Sequence, residues 1–171
     1  MKKILILLLV FLFSFSTVYA IEFEDLTIKG TLSRPNQSGC SVIMSDNVVT
    51  TTNNLITIPF DTEEWDNQDE WNTSTYRFTA KTAGCYYVVL STHWSILAIN
   101  ADYPSYIYKN GSIIHLLYWV SGGGSTTNQT FVTEALVYLD VDDYIEFKTQ
   151  SEQNDDQLKA VGTYADIVKL W

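Results

Sequence analysis

The chain has 171 residues, 46% hydrophobic and 14% aromatic, with 10 Lys or Arg against 20 Asp or Glu and a net charge of −10. That charge argues against a nucleic-acid binder, which needs a basic face to neutralise phosphates. The aromatic content argues against a disordered chain, and the length suits one domain with a real core.

Residues 1–20 read as a signal peptide: Met1-Lys2-Lys3 is basic, Ile4 to Phe15 is almost wholly apolar, and Val18-Tyr19-Ala20 offers a small-x-small cleavage site. An uncleaved anchor is the alternative, since about 20 apolar residues span a bilayer. Cleavage predicts a secreted protein with no membrane attachment. It removes Lys2 and Lys3 but no acid, so the net charge becomes −12. Residues 21–39 are weakly patterned and read as an N-terminal lead-in to a domain over 40–171.

From there the pattern is of strands, with no window holding a helical apolar period. Short β-branched and aromatic runs occur at Ser41–Met44, Val48–Thr52, Leu55–Phe60, Tyr76–Thr79 and Tyr86–Trp94. They continue at Tyr106–Lys109, Ile113–Val120, Thr130–Leu139, Tyr144–Thr149 and Ala160–Trp171. Ten such runs predict an all-β antiparallel sandwich or barrel. Lys109-Asn110-Gly111-Ser112 is the strongest turn, because Asn-Gly supplies the two positive φ angles of a tight hairpin. Ser121 to Gln129, with three consecutive glycines, reads as a loop and lacks the features of a phosphate cradle.

Catalytic chemistry finds little support. His93 and His115 lie in separate apolar runs without metal-ligand spacing, and no Gly-x-Ser-x-Gly elbow points to a nucleophile. The expectation is a non-enzyme without a cofactor. Acid is concentrated at Asp61, Glu63, Glu64, Asp66, Asp69 and Glu70, and again at Asp140, Asp142, Asp143, Glu146, Glu152, Asp155 and Asp156. Such loops suit calcium, but neither matches the twelve-residue calcium loop, and solvated acidic turns are the ordinary reading. Trp65 and Trp71, among polar neighbours, are the candidates for stacking on a sugar ring, against core packing as the usual role of Trp. Cys40 and Cys85 form an even count that invites a disulfide in a secreted chain. Asn36, Asn72, Asn110 and Asn128 head Asn-x-Ser/Thr sequons in predicted loops or turns, open to N-glycosylation.

Several motifs, in order, resemble the globular C1q domain and its relatives in the tumour necrosis factor superfamily. Phe78-Thr79-Ala80-Lys81-Thr82-Ala83-Gly84-Cys85-Tyr86 is similar to that family's Phe-Thr-Ala-Pro-x-x-Gly-x-Tyr segment, with Lys81 for Pro. Ile58-Pro59-Phe60-Asp61, Trp71-Asn72 and Lys109-Asn110-Gly111 resemble its strand entry, its Tyr-Asn pair and its hairpin. The stretch Leu136 to Ile145 resembles a Leu-x-x-Gly-Asp segment with Asp142 for Gly, and Tyr164 to Val168 resembles the C-terminal strand with Asp166 for Gly.

The resemblance, over roughly Cys40 to Trp171, implies a jelly roll of about ten strands that forms a homotrimer, with one sheet near the threefold axis. It implies Tyr86 in the monomer core and Tyr87, Val89, Val132 and Tyr164 toward a neighbouring subunit. It also argues against the disulfide. The strands of Cys40 and Cys85 both flank the C-terminal strand, roughly 9–10 Å apart, whereas bridged Cα atoms lie within about 7 Å. The function implied is a secreted recognition module whose loops bind an extracellular protein or glycan. Alternatives are an attachment domain of a microbial or viral fibre, or a carbohydrate-binding module.

Overall fold

The computed structural model describes residues 37–95, 101–118 and 128–171. The signal peptide, Asn36, the lead-in up to residue 36 and most of the glycine loop lie outside them. Every regular element among the described residues is a strand: β1 (Gly39–Ile43), β2 (Val48–Val49), β3 (Ile56–Thr57), β4 (Thr62–Asp66), β5 (Trp71–Asn72), β6 (Arg77–Thr79) and β7 (Gly84–Ser95) come first. Then come β8 (Ser105–Lys109), β9 (Ser112–Leu117), β10 (Gln129–Leu139), β11 (Tyr144–Thr149), β12 (Gln157–Leu158) and β13 (Tyr164–Lys169).

They form two antiparallel sheets. The larger runs β2-β12-β7-β13-β1-β4, with β10 on the other edge of β7; the smaller runs β5-β6-β11-β8-β9, with β3 beside β11. Alternation along β7 turns Tyr86, Val88 and Leu90 inward, all fully buried, to face Phe78, Ile107, Ile145 and Phe147 of the smaller sheet. Tyr87 and Val89 point outward and are only partly covered. The fold is the all-β jelly-roll sandwich expected.

The Asn110-Gly111 hairpin forms as its chemistry requires, with φ of 50° and 77° closing β8 onto β9. Asp142, standing where a glycine was expected, takes a φ of 70°, and its N–H donates to the Ala80 carbonyl at 2.9 Å. Asp tolerates the left-handed region better than most residues, so the turn survives the replacement. Gly84 is required by crowding: a Cβ there would lie 2.3 Å from the Trp171 carbonyl oxygen.

Three strands escape sequence patterning. β4, with sequence Thr-Glu-Glu-Trp-Asp, looks like an acidic turn, yet it pairs with β1 as the edge of the larger sheet. Edge strands commonly carry charge, which keeps them from pairing with other chains. β5 and β12 have two residues each, too few to show a period.

A buried carboxylate fastens β1 to this frame. Glu70 is 2% exposed; its Oε1 accepts from Ser38 Oγ at 2.6 Å and Lys81 N at 3.1 Å, and its Oε2 accepts from Gly39 N at 2.8 Å. At the opposite end of the sandwich, buried Asp156 accepts from the hydroxyls of Tyr103 and Ser151, both at 2.7 Å. Both carboxylates are therefore used to satisfy internal donors.

Candidate functional site

The outward face of the larger sheet is a ruled surface whose rows are set by strand register. One row runs Val132, Ser91, Tyr164, Ile43 across β10, β7, β13 and β1. The next runs Glu134, Val89, Asp166, Ser41, and a third runs Leu136, Tyr87, Val168. Tyr138 lies opposite Cys85 beyond them. The four residues expected to face a neighbour, Tyr87, Val89, Val132 and Tyr164, thus share one face. Leu136 at 65% exposure and Tyr138 at 59% belong to it too. The alternation Val132, Glu134, Leu136, Tyr138 along β10 carries the signal that finds them.

A second apolar surface lies at an edge of the sandwich. β9 is the outermost strand of the smaller sheet, and it meets β10 there. Its residues are exposed up to Leu116, and Ile113, Ile114 and Leu116 are the large apolar ones. Edge strands usually carry charges or bulges that discourage pairing. This one carries a bulge opposite Ile107/Tyr108 and a single titratable group, His115.

Other candidate residues fall elsewhere. Trp71 is a correction: 5% exposed, its ring stacks on Phe147 with centroids 6.3 Å apart, and its indole N–H donates to the Phe60 carbonyl at 3.0 Å. It is core, not a sugar platform. Trp65 sits on β4, 39% exposed. The disulfide that the even cysteine count invites, and that the resemblance argues against, is not formed. Cys40 and Cys85 are free thiols. Cys40 faces the core from β1, while Cys85 lies on the outward side of β7, and β13 runs between their strands. Burial pushes the Cys40 thiol well above its usual range, helped by the charges of Asp66 and Glu70.

Among the sequons, Asn72 and Asn128 are exposed. Asn72 caps its turn by accepting from the N–H groups of Ser74 and Thr75. The Asn110 side chain is already engaged: its Nδ2 donates to Asp143 at 2.6 Å and its Oδ1 accepts from Tyr144 N at 2.9 Å. A glycan on that nitrogen would compete with the bond to Asp143.

The acidic stretches are also tied internally. Asp66 accepts from the N–H groups of Gln68 and Trp71, and Asp61 from Ser45, whose hydroxyl holds the Asp61 carboxyl below its ordinary value. Burial raises Glu63, with Asp66 and Asp69 adding to the effect. Hydrogen bonds from the Lys109 ammonium and from Asn110 hold Asp143 at about 2. A carboxyl lowered on folding stabilises the protein above its ordinary value of 3.8 and loses that contribution as pH falls toward 2. The pair lies at the surface and is screened, so the loss is about 1 kcal/mol. Acid titration of urea unfolding should show that extra fall between about pH 4 and 2 in the parent and not in Asp143→Asn.

A family model described as the C1q domain matches residues 41–165. Among solved structures, the globular domain of zebrafish complement 1qA protein is similar at a TM-score of 0.59 and 12% identity, over 80% of this chain and 98% of that one. Eiger TNF from S. frugiperda is similar at 0.60 and 10% identity, over 79% and 93%. Murine APRIL is similar at 0.61 and 11% identity, over 79% and 100%. No curated protein matches the sequence.

Proposed function

The chain belongs to the C1q domain family, and from that premise we propose that it is a secreted, non-enzymatic recognition module that acts as a homotrimer and binds its ligand through loops. Domains of this family are ligand-binding modules, and trimers are typical of it. The observation that supports the trimer is that one subunit exposes two unlike apolar surfaces, the outward face of β10-β7-β13-β1 and the β9 edge. A surface that meets a different surface on the next copy is heterologous, and such contacts close into rings when the rotation allows. Large apolar residues exposed side by side in this way mark an interaction surface. Secretion rests on residues 1–20, whose pattern is that of a cleaved leader.

In this reading the acidic stretches are internally tied or solvated turns, not cation sites. Asp61, Asp66 and Asp143 already use carboxylate oxygens to accept hydrogen bonds within the protein. The ligand is an extracellular protein or glycan. A fibre or attachment domain would share the fold but need further contacts between trimers.

The test is the mass in solution at micromolar concentration. Light scattering should return three times the subunit mass. Placing a charge in the middle of the face with Leu136→Arg should release monomers of unchanged circular dichroism. A parent protein that is monomeric throughout the micromolar range would overturn the proposal.

A further inference from the structure

The middle row of the outward face has a charge pattern that its apolar surroundings do not predict. Register places Glu134 and Asp166 on either side of Val89, one on each neighbouring strand. Ser41 is next beyond Asp166, and its hydroxyl reaches Glu64 of β4 at 3.3 Å. Three carboxylates thus span the sheet in one line. Glu134 accepts a hydrogen bond from the Tyr87 hydroxyl. Asp166 is half-buried on the strand between β1 and β7, and no donor among the described residues bonds its carboxylate.

No cation among the described residues answers this row. Among the described residues the basic side chains are engaged elsewhere: Arg77 with Glu146, Lys109 with Asp143, Lys81 on the Gln68 carbonyl, Lys148 over the Tyr108 ring, Lys159 on Gln157 and Lys169 on Thr82. On the β9 edge, which an adjoining copy would bring to this face, the titratable group is His115.

We propose that assembly through this face is gated by ionic strength: Glu134 and Asp166 are repelled by the net negative charge of the adjoining copy, so that the trimer loosens in dilute electrolyte and tightens as salt screens them. This rests on the trimeric reading above. Each of the three contacts then covers two of these carboxylates. Between exposed charges the repulsion reaches about 10 Å at 0.1 M salt and about 3 Å at 1 M. The apolar rows on either side supply the attraction and salt sets how much of it is used. Asp166, where related sequences were expected to carry glycine, makes this a property of the chain's own sequence.

Sedimentation equilibrium of the full chain at neutral pH, in low and in high sodium chloride, tests this. The parent should tighten at least about tenfold with salt. Glu134→Gln with Asp166→Asn should be tight already in low salt and respond little. A control pair that removes the same charge away from the face, Asp46→Asn with Asp69→Asn, should keep the parent's response. A parent trimer indifferent to salt, or a face variant that responds as strongly as the parent, overturns the gate and leaves the trimer standing. Monomers in every condition and variant overturn the trimeric reading itself.

Discussion

Glu70→Ala is expected to cost about 3–5 kcal/mol of unfolding free energy, a large part of the 5–15 kcal/mol that holds a domain folded. Its carboxylate is the acceptor for Ser38 Oγ and for the N–H groups of Gly39 and Lys81. Removing it leaves three buried or half-buried donors without it, and a hydrogen bond to a charged group is worth about 1.5–3 kcal/mol net. Glu70→Gln keeps the shape but turns an NH2 toward donors, so it should cost less, about 2 kcal/mol. Urea unfolding measures both. A loss below about 1 kcal/mol for alanine would mean that water replaces the carboxylate and that the clamp contributes little.

Trp71→Ala is the second large loss, about 3–5 kcal/mol, the range for deleting a buried aromatic side chain. The ring packs between Phe60, at 6.2 Å, and Phe147, and its indole nitrogen is bonded to the backbone. Trp65→Ala, on the exposed β4 edge, should change stability by no more than about 0.5 kcal/mol. The pair separates two origins of a binding defect. Glycan binding lost with Trp65→Ala at full stability would point to a sugar contact on β4. Loss with Trp71→Ala alone would report unfolding.

These residues also show where sequence reasoning stops. The two-sided apolar pattern of Tyr86 to Leu90 and the Asn110-Gly111 turn are local, so period and turn chemistry reveal them directly. The outward face is legible for the same reason: once β7 and β10 are strands, alternation alone gathers Val89, Val132 and Leu136 on one side. Glu70 and Trp71 are different. They sit in an acidic run that reads as solvated, and what buries them is a β1 start thirty-odd residues upstream together with Phe147 far downstream. Burial of that kind depends on long-range pairing, which no window of sequence contains. β4 fails for the converse reason, because an exposed edge strand has no buried face and hence no apolar period.

The position of β13 sets a constraint in time. It comes last in sequence among the described strands, yet it lies between β1 and β7 and forms the ladder to each. Until β13 has been made, β1 lacks its neighbour on that side, and the larger sheet has no strand to join β1-β4 to β7-β10. The larger sheet must therefore wait, with its inward aromatic residues uncovered, for a closing contact between β1 and β13, which lie far apart in sequence. Folding should be late, all-or-none and slow, in the millisecond-to-second range of β-sandwiches dominated by distant contacts.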